Sequence, residues 1–261
     1  LARLAALGRA ADLGRALAAR RVAARGHVMG FLYLDGHVRV YHGQRRIPKT
    51  HVARMRLKMA ATTDYWVNDT EGEPLLVVST EANRGLITML PTLLAEVRRL
   101  VGERRVTVVF ARGGWRPKLF TTMIAQGFDV LTYQKGRVPA VPEDRFASHQ
   151  AIFDGHPDDY VLADIGIELA SGLRLRQVTR LGEDGHQTHI VTSRRDLPAI
   201  AVAARMFARW RQENFFKYLR EEYALDALVD YATAPADPAR EVPNPLRAAL
   251  DAELHKDKAE L

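Results

Sequence analysis

Arg104-Arg-Val-Thr-Val-Val-Phe-Ala-Arg-Gly-Gly-Trp-Arg-Pro-Lys-Leu-Phe120 is the stretch on which the reading of the fold turns. Val106 to Phe110 is a short, continuous apolar run, β-branched and bounded by charges and glycines, which reads as a buried central strand. Gly113 and Gly114 end it. Pro117 then stands where the first turn of a helix would begin, with Leu119, Phe120, Met123 and Ile124 at helical spacing. A strand that ends in a glycine turn and feeds a helix is a common place for α/β proteins to hold their chemistry. Ala111, at the strand tip, carries no functional group. Either the chemistry lies elsewhere, or a group is missing here.

Upstream, residues 28–42 alternate: Phe31 and Tyr33, then Asp35-Gly36, then Val38 and Val40. Asp-Gly between two alternating runs is a hairpin signal, so local evidence makes Asp35 a turn residue. Residues 43–58 follow with Arg45, Arg46, Lys49, Arg54, Arg56 and Lys58 and no acid among them. Such a run is either a solvated face or a track for phosphates. Tyr65 and Trp66 would pack this excursion onto the sheet. Residues 75–80 form another strand, and Leu86, Met89, Leu90, Leu93, Leu94, Val97 and Leu100 mark the buried face of a helix over 86–101. Phe128 to Tyr133 is a fifth strand. The order is β-β-β-α-β-α-β: three antiparallel strands, then two parallel additions through helices. That is a mixed five-stranded α/β layout of the ribonuclease H type.

Three segments are expected. Residues 1–27 are an Ala-, Leu- and Arg-rich helical segment with a basic face at Arg20, Arg21 and Arg25. Residues 28–231 are the main domain, with a β-rich insertion over 137–195. There, Leu173–Arg180 and His186–Thr192 alternate around Gly182–Gly185 as a hairpin, and His186 and His189 read as strand residues. A long helical segment over 197–231 closes the domain. Residues 232–261 are a Pro-rich linker and a charged helix. The opening Leu1 and this charged tail read as a piece of a longer protein.

Composition narrows the chemistry. The 261 residues include no cysteine, which excludes disulfides, thiolate zinc sites and cysteine nucleophiles and suits a cytoplasmic setting. The formal charge of +7 favours a polyanionic partner. No apolar run approaches the length of a membrane span.

On the late helix, Arg209, Glu213, Lys217 and Arg220 recur at four, four and three residues and share a face. This is either an exposed face with intrahelical ion pairs, worth little energetically, or a single acid ringed by cations on a buried helix. Phe207, Trp210, Phe215 and Phe216 speak for the second.

Three segments in order, Phe31–Tyr41, Val108–Trp115 and Arg209–Lys217, resemble the catalytic core of DDE transposases of the bacterial insertion-sequence type. That family shares the ribonuclease H-like fold of retroviral integrases. The resemblance covers roughly residues 28–231, with the insertion before the last motif. It implies catalytic positions at Asp35, Ala111 and Glu213, where the family has Asp, Asp and Glu. Arg209 matches the family's helix Arg, Arg220 stands at its Lys position, and Met206 stands where it has Tyr.

The resemblance further implies two Mg²⁺ or Mn²⁺ ions, with Asp35 and Glu213 as the metal ligands left to this chain. Ala111 removes the shared carboxylate, so the protein is expected to be inactive or nearly so. An engineered Asp→Ala change, or a decayed or repurposed natural copy, would leave such intact surroundings. Glu81, after the third strand, has nothing in the sequence aiming it at this site. The implied reaction is phosphodiester cleavage at transposon ends and strand transfer into target DNA, by a homodimer that pairs two ends, without a membrane. The implied setting is the bacterial cytoplasm, at the nucleoid when bound to DNA. Phosphate contacts are expected from Arg45, Arg46, Lys49, Arg54, Arg56, Arg112, Arg116, Lys118, Arg209, Lys217 and Arg220. Trp115 either stacks on a displaced base or packs under the glycine turn. Two other readings stay open: a transposase-derived DNA-binding or regulatory protein, and a hydrolytic nuclease of the same fold.

Overall fold

The structure, a computed structural model, describes residues 7–43, 46–52, 55–153 and 155–223, together with 225 and 250. Among these residues a ten-stranded mixed sheet dominates. Its strands are β1 (Phe31–Val40), β2 (Lys49–Val52), β3 (Leu57–Asn68), β4 (Pro74–Glu81), β5 (Val106–Phe110), β6 (Phe128–Tyr133), β7 (Ala147–Phe153), β8 (His156–Glu168), β9 (Arg174–Leu181) and β10 (Gln187–Thr192). The helices are α1 (Ala10–Ala24), α2 (Leu86–Val101), α3 (Pro117–Ala125), α4 (Ala199–Phe207) and α5 (Trp210–Tyr223). The strand order is β2-β3-β1-β5-β6-β10-β9-β8-β7, with β4 also paired to β3. β1, β5 and β6 run parallel; the other pairs are antiparallel.

β5 is buried along its whole length because helices cover both faces of the sheet there. On one side α2 and α3 bring Leu90, Leu93, Leu94, Phe120 and Met123 against Phe110 and Val108. On the other, α4 lays Ile200, Val202, Ala203 and Met206 on Tyr33, Val109, Leu131 and Ile190. Gly114 is required by close approach: a Cβ there would lie 2.5 Å from the Phe110 ring. Pro117 opens α3, where its missing N–H costs nothing.

The structure departs from the sequence reading in several places. There is no hairpin at Asp35-Gly36. β1 runs unbroken for 10 residues, and Gly36 pairs with Tyr65 inside the ladder. The glycine serves packing, since a Cβ would sit 2.8 Å from the Tyr65 ring, whose hydroxyl donates to the Arg84 carbonyl at 2.5 Å. The second strand of the sheet is β3, which the basic run and its polar residues concealed. Asp64 is buried in it, paired with Arg39 at 2.6 Å, and Asn68 is fully buried. The sheet has ten strands, not five, because β2 joins β3 and the insertion's strands continue the same sheet through the β10–β6 pairing. β9 and β10 pair antiparallel around Gly182–Gly185.

The long late helix is two helices. At Ala208 and Arg209 the chain tightens into i→i+3 bonds, Arg211 N–H to Ala208 O and Gln212 N–H to Arg209 O. In α1, Leu13 and Leu17 are exposed while Ala18 is buried. The expected linker and helix over 232–261 lie outside the described residues, Leu250 apart.

Candidate active site

The parallel β1–β5 ladder ends at the pair Leu34–Phe110. One step further along both strands stand Asp35 and Ala111. Alternation places both on the α4 face, because Tyr33 and Val109, two residues back, lie together in the α4 core. Ala111 keeps extended backbone before the 3₁₀ turn Arg112–Gly114, so the alternation carries through it. Neighbouring strands are about 4.8 Å apart, so the two residues are side by side.

Gln212 fixes α5 against this strand end. It is 1% exposed, and its Nε2 lies 3.2 Å from Tyr33 O, 3.3 Å from Trp66 O and 2.9 Å from Asn68 Oδ1. One turn on, Phe216 is buried, stacked on His37 at 5.0 Å and edge-on to Trp66 at 6.0 Å. With these side chains turned inward, Glu213 falls in the first turn of α5, exposed and within electrostatic reach of Asp35. From the turn before α5, Arg209 Nη2 reaches Asp35 Oδ2 at 3.3 Å. Tyr33 donates its hydroxyl to Arg205 O at 3.1 Å and ties the end of α4 to β1.

Asp35 is a strained charge. Burial pushes its carboxyl above the usual carboxylate range; Arg209 and the Gly36 N–H pull it back, and Glu213 pushes it up again. Burial raises Tyr133 on the neighbouring β6, and Arg209, Glu213 and Arg112 all act on it. Two carboxylates and several arginines therefore converge midway along β1, where its pairing with β5 stops, beside the carboxyl ends of β5 and β6. Arg112 sits over the Tyr133 ring at 5.8 Å, and Arg180 over both Tyr160 and Phe207 at 5.2 Å.

The other expected contacts scatter. Arg116, Lys118, Lys217 and Arg220 are exposed. Arg46, Lys49 and Arg56 are exposed at the β2 side of the sheet, and Arg45 and Arg54 lie outside the described residues. Trp115 is half-buried in the main core, edge-on to Phe120 at 5.3 Å. Met206 is fully buried under the sheet. The sequence reading passed over Gln212, Tyr133 and Arg180. For Gln212 a signal existed: it lies four residues before Phe216, on the inward face of α5.

A family model described as a transposase protein matches residues 5–261. The chain belongs to this transposase family. The carboxylates and arginines above are thus features of a transposase, gathered at one end of its parallel strands. Among solved structures, a piggyBac transposase in a synaptic complex with hairpin DNA is similar, at 8% identity and a TM-score of 0.49. The match covers 73% of this chain and 40% of that one. No curated protein matches this transposase. Among its described residues, no helix is long and apolar enough to cross a membrane.

Proposed function

We propose that this transposase is a DDE-type catalytic core with a ribonuclease H-like sheet, cutting DNA at transposon ends and joining it to target DNA. We further infer that Ala111 leaves it inactive. The observation that carries the reading is the convergence at one strand end. Asp35 and position 111 occupy adjacent, parallel strands on one face, and Glu213 from α5 bears on the same carboxylate. The order β4-β3-β1-β5-β6, antiparallel and then parallel, supports the ribonuclease H-like part.

Asp35 and Glu213 suit a hard divalent cation. They are oxygen donors; burial first, and Glu213 only to a lesser degree, raises the Asp35 carboxyl, and a cation would favour its charged form. They are also too few. Among the described residues no group of three or more His, Cys, Asp or Glu is placed to hold a metal. Asp35 and Glu213 would be the residues to hold Mg²⁺ or Mn²⁺, which would supply charge neutralisation for a phosphodiester. The chain's own part is positional: Arg209 orients Asp35, and Arg112 offers a cation at the strand tip for a phosphate.

The test is Ala111→Asp. The restored protein should bind Mn²⁺, read by proton relaxation, and cleave terminal-repeat DNA where the Ala111 form does not. A restored protein that binds both DNA and Mn²⁺ but never cuts would sink the catalytic reading. The second reading, a DNA-binding protein without catalysis, is favoured by one contact: the Arg209–Asp35 ion pair supplies that carboxylate with a counter-charge and no metal.

A further inference from the structure

The two borders of the sheet are built differently. On the β3 side, β2 has only four residues, begins with Lys49 after Pro48, and has its Lys49 carbonyl capped by Asn83 Nδ2 at 3.1 Å. β4 begins with Pro74, ends with Glu81 and packs against α1. Short length, proline, charge and cover are the devices that stop an edge from pairing with another chain. β7, at the opposite border, is longer than β2, and although α4 packs on one of its faces it carries neither proline nor charge. Its seven residues, Ala-Ser-His-Gln-Ala-Ile-Phe, include no proline, lysine, arginine or carboxylate. Its ladder is with β8 alone, and its outer side faces no strand among the described residues. Ala151 and Phe153 anchor it to the α4 core, while Ile152, on the open face, is 76% exposed.

We propose that β7 pairs antiparallel with β7 of a second copy of this chain, about a two-fold axis at Gln150. Gln150 then faces the partner's Gln150, Ser148 the partner's Ile152, His149 the partner's Ala151, and Ala147 the partner's Phe153. Faces match throughout, because each pair joins residues of the same parity. An uncharged strand meets its own copy with no like charges opposed, and a two-fold contact uses up both edges and closes the assembly. The proposal rests on strand geometry and goes beyond the catalytic reading.

The test is sedimentation equilibrium on the full chain without DNA or metal, so its outcome is independent of cleavage. Ser148→Lys with Ile152→Lys sets lysine against lysine twice across the axis. Ser148→Glu with Ile152→Lys sets glutamate against lysine twice. Within one chain the two positions are four residues, about 13 Å, apart, so the intrachain difference is small. The unsubstituted chain should be a dimer. The lysine pair should weaken it at least about tenfold relative to the glutamate–lysine pair. Gln150→Lys, which opposes its own copy on the axis, should weaken it as well and serves if the double variant misfolds by circular dichroism. A monomer throughout the micromolar range, or two double variants with the same dimer constant, overturns the proposal. Dissociation without recovery by the glutamate–lysine pair overturns the register, and with it the axis.

Discussion

The two ends of the β1–β5 strand pair hold charge in opposite ways. At the amino end, two arginines meet two aspartates in a closed set. Arg105 Nε bonds Asp129 Oδ2 at 2.6 Å, Arg194 holds Asp196 at 2.7 and 2.8 Å, and Arg105 also reaches Asp196 at 3.3 Å. Ser193 and Thr107 complete it, donating to Asp129 and accepting from Arg194, each at 2.7 Å. At the carboxyl end, Asp35 has Arg209 at 3.3 Å, Glu213 as a like-charged neighbour, and only the methyl group of Ala111 at the matching place on the adjacent strand. The first arrangement is what a fold requires of buried and half-buried charge. The second is out of balance, and unbalanced charge on a rigid strand end is how proteins prepare a site for an ion or a phosphate.

The largest effect that could break this contrast is at the carboxyl end. In the Ala111→Asp protein, Glu213→Gln should return cleavage to background, a loss on the order of a thousandfold or more, because carboxylates that hold one metal act as a unit. Thermal stability should change little, since Glu213 is exposed. A Glu213→Gln variant that still cuts would remove Glu213 from the site and leave the contrast without its functional half.

At the amino end the prediction is the reverse, a loss of stability without loss of DNA binding. Asp129→Ala leaves the Ser193 hydroxyl without its acceptor and Arg105 with Asp196 alone, and should cost about 1–2 kcal/mol in urea unfolding, with affinity for DNA unchanged. Gly36→Ala should cost about 1–3 kcal/mol by overpacking Tyr65, whose hydroxyl is held at Arg84 O. It should also disturb Asp35, the adjacent residue. An unfolding midpoint equal to that of the parent would show that Tyr65 can swing aside.

These contrasts were unequally legible in the sequence. β5 and α3 could be read because a continuous apolar run, paired glycines and a proline each have one common meaning in that order. α2 could be read from its helical period. β1 was misread because Asp-Gly has two uses, a turn or a place where a neighbour's ring needs room, and only the Tyr65 contact distinguishes them. β3 was hidden because its buried polar residues find partners distant in sequence: Asp64 with Arg39, Asn68 with Gln212. Asp35, Ala111 and Glu213 were linked by resemblance alone, as no spacing connects residues on separate strands and a late helix. Arg209 was placed by helical period, but its contact with Asp35 depends on the break at Ala208, which nothing in the local sequence marks.

The smallest effects sharpen the comparison most, because the two ends should answer pH with opposite signs. Asp35 has its carboxyl raised above its ordinary value of 3.8, chiefly by burial. The folded protein therefore prefers it protonated, and stability is lost as pH rises through the unfolded value toward the raised folded one. Asp35→Asn should make the protein slightly more stable at neutral pH, with the advantage closing as the pH falls below that window. Asp196 has its carboxyl held well below the usual range by its hydrogen bonds from Arg194, and then by the charges of Arg194 and Arg105. Its contribution is present above the unfolded value and lost as the pH falls through that value toward the depressed folded one. Asp196→Asn should therefore lower stability at neutral pH, by a small amount because the group is largely exposed and solvent screens it. Urea midpoints of the two variants, measured against the parent from acid to neutral pH, should move in opposite directions. Parallel shifts would mean that Arg209 already balances Asp35 as fully as Arg194 balances Asp196, and that the carboxyl end is not the strained one.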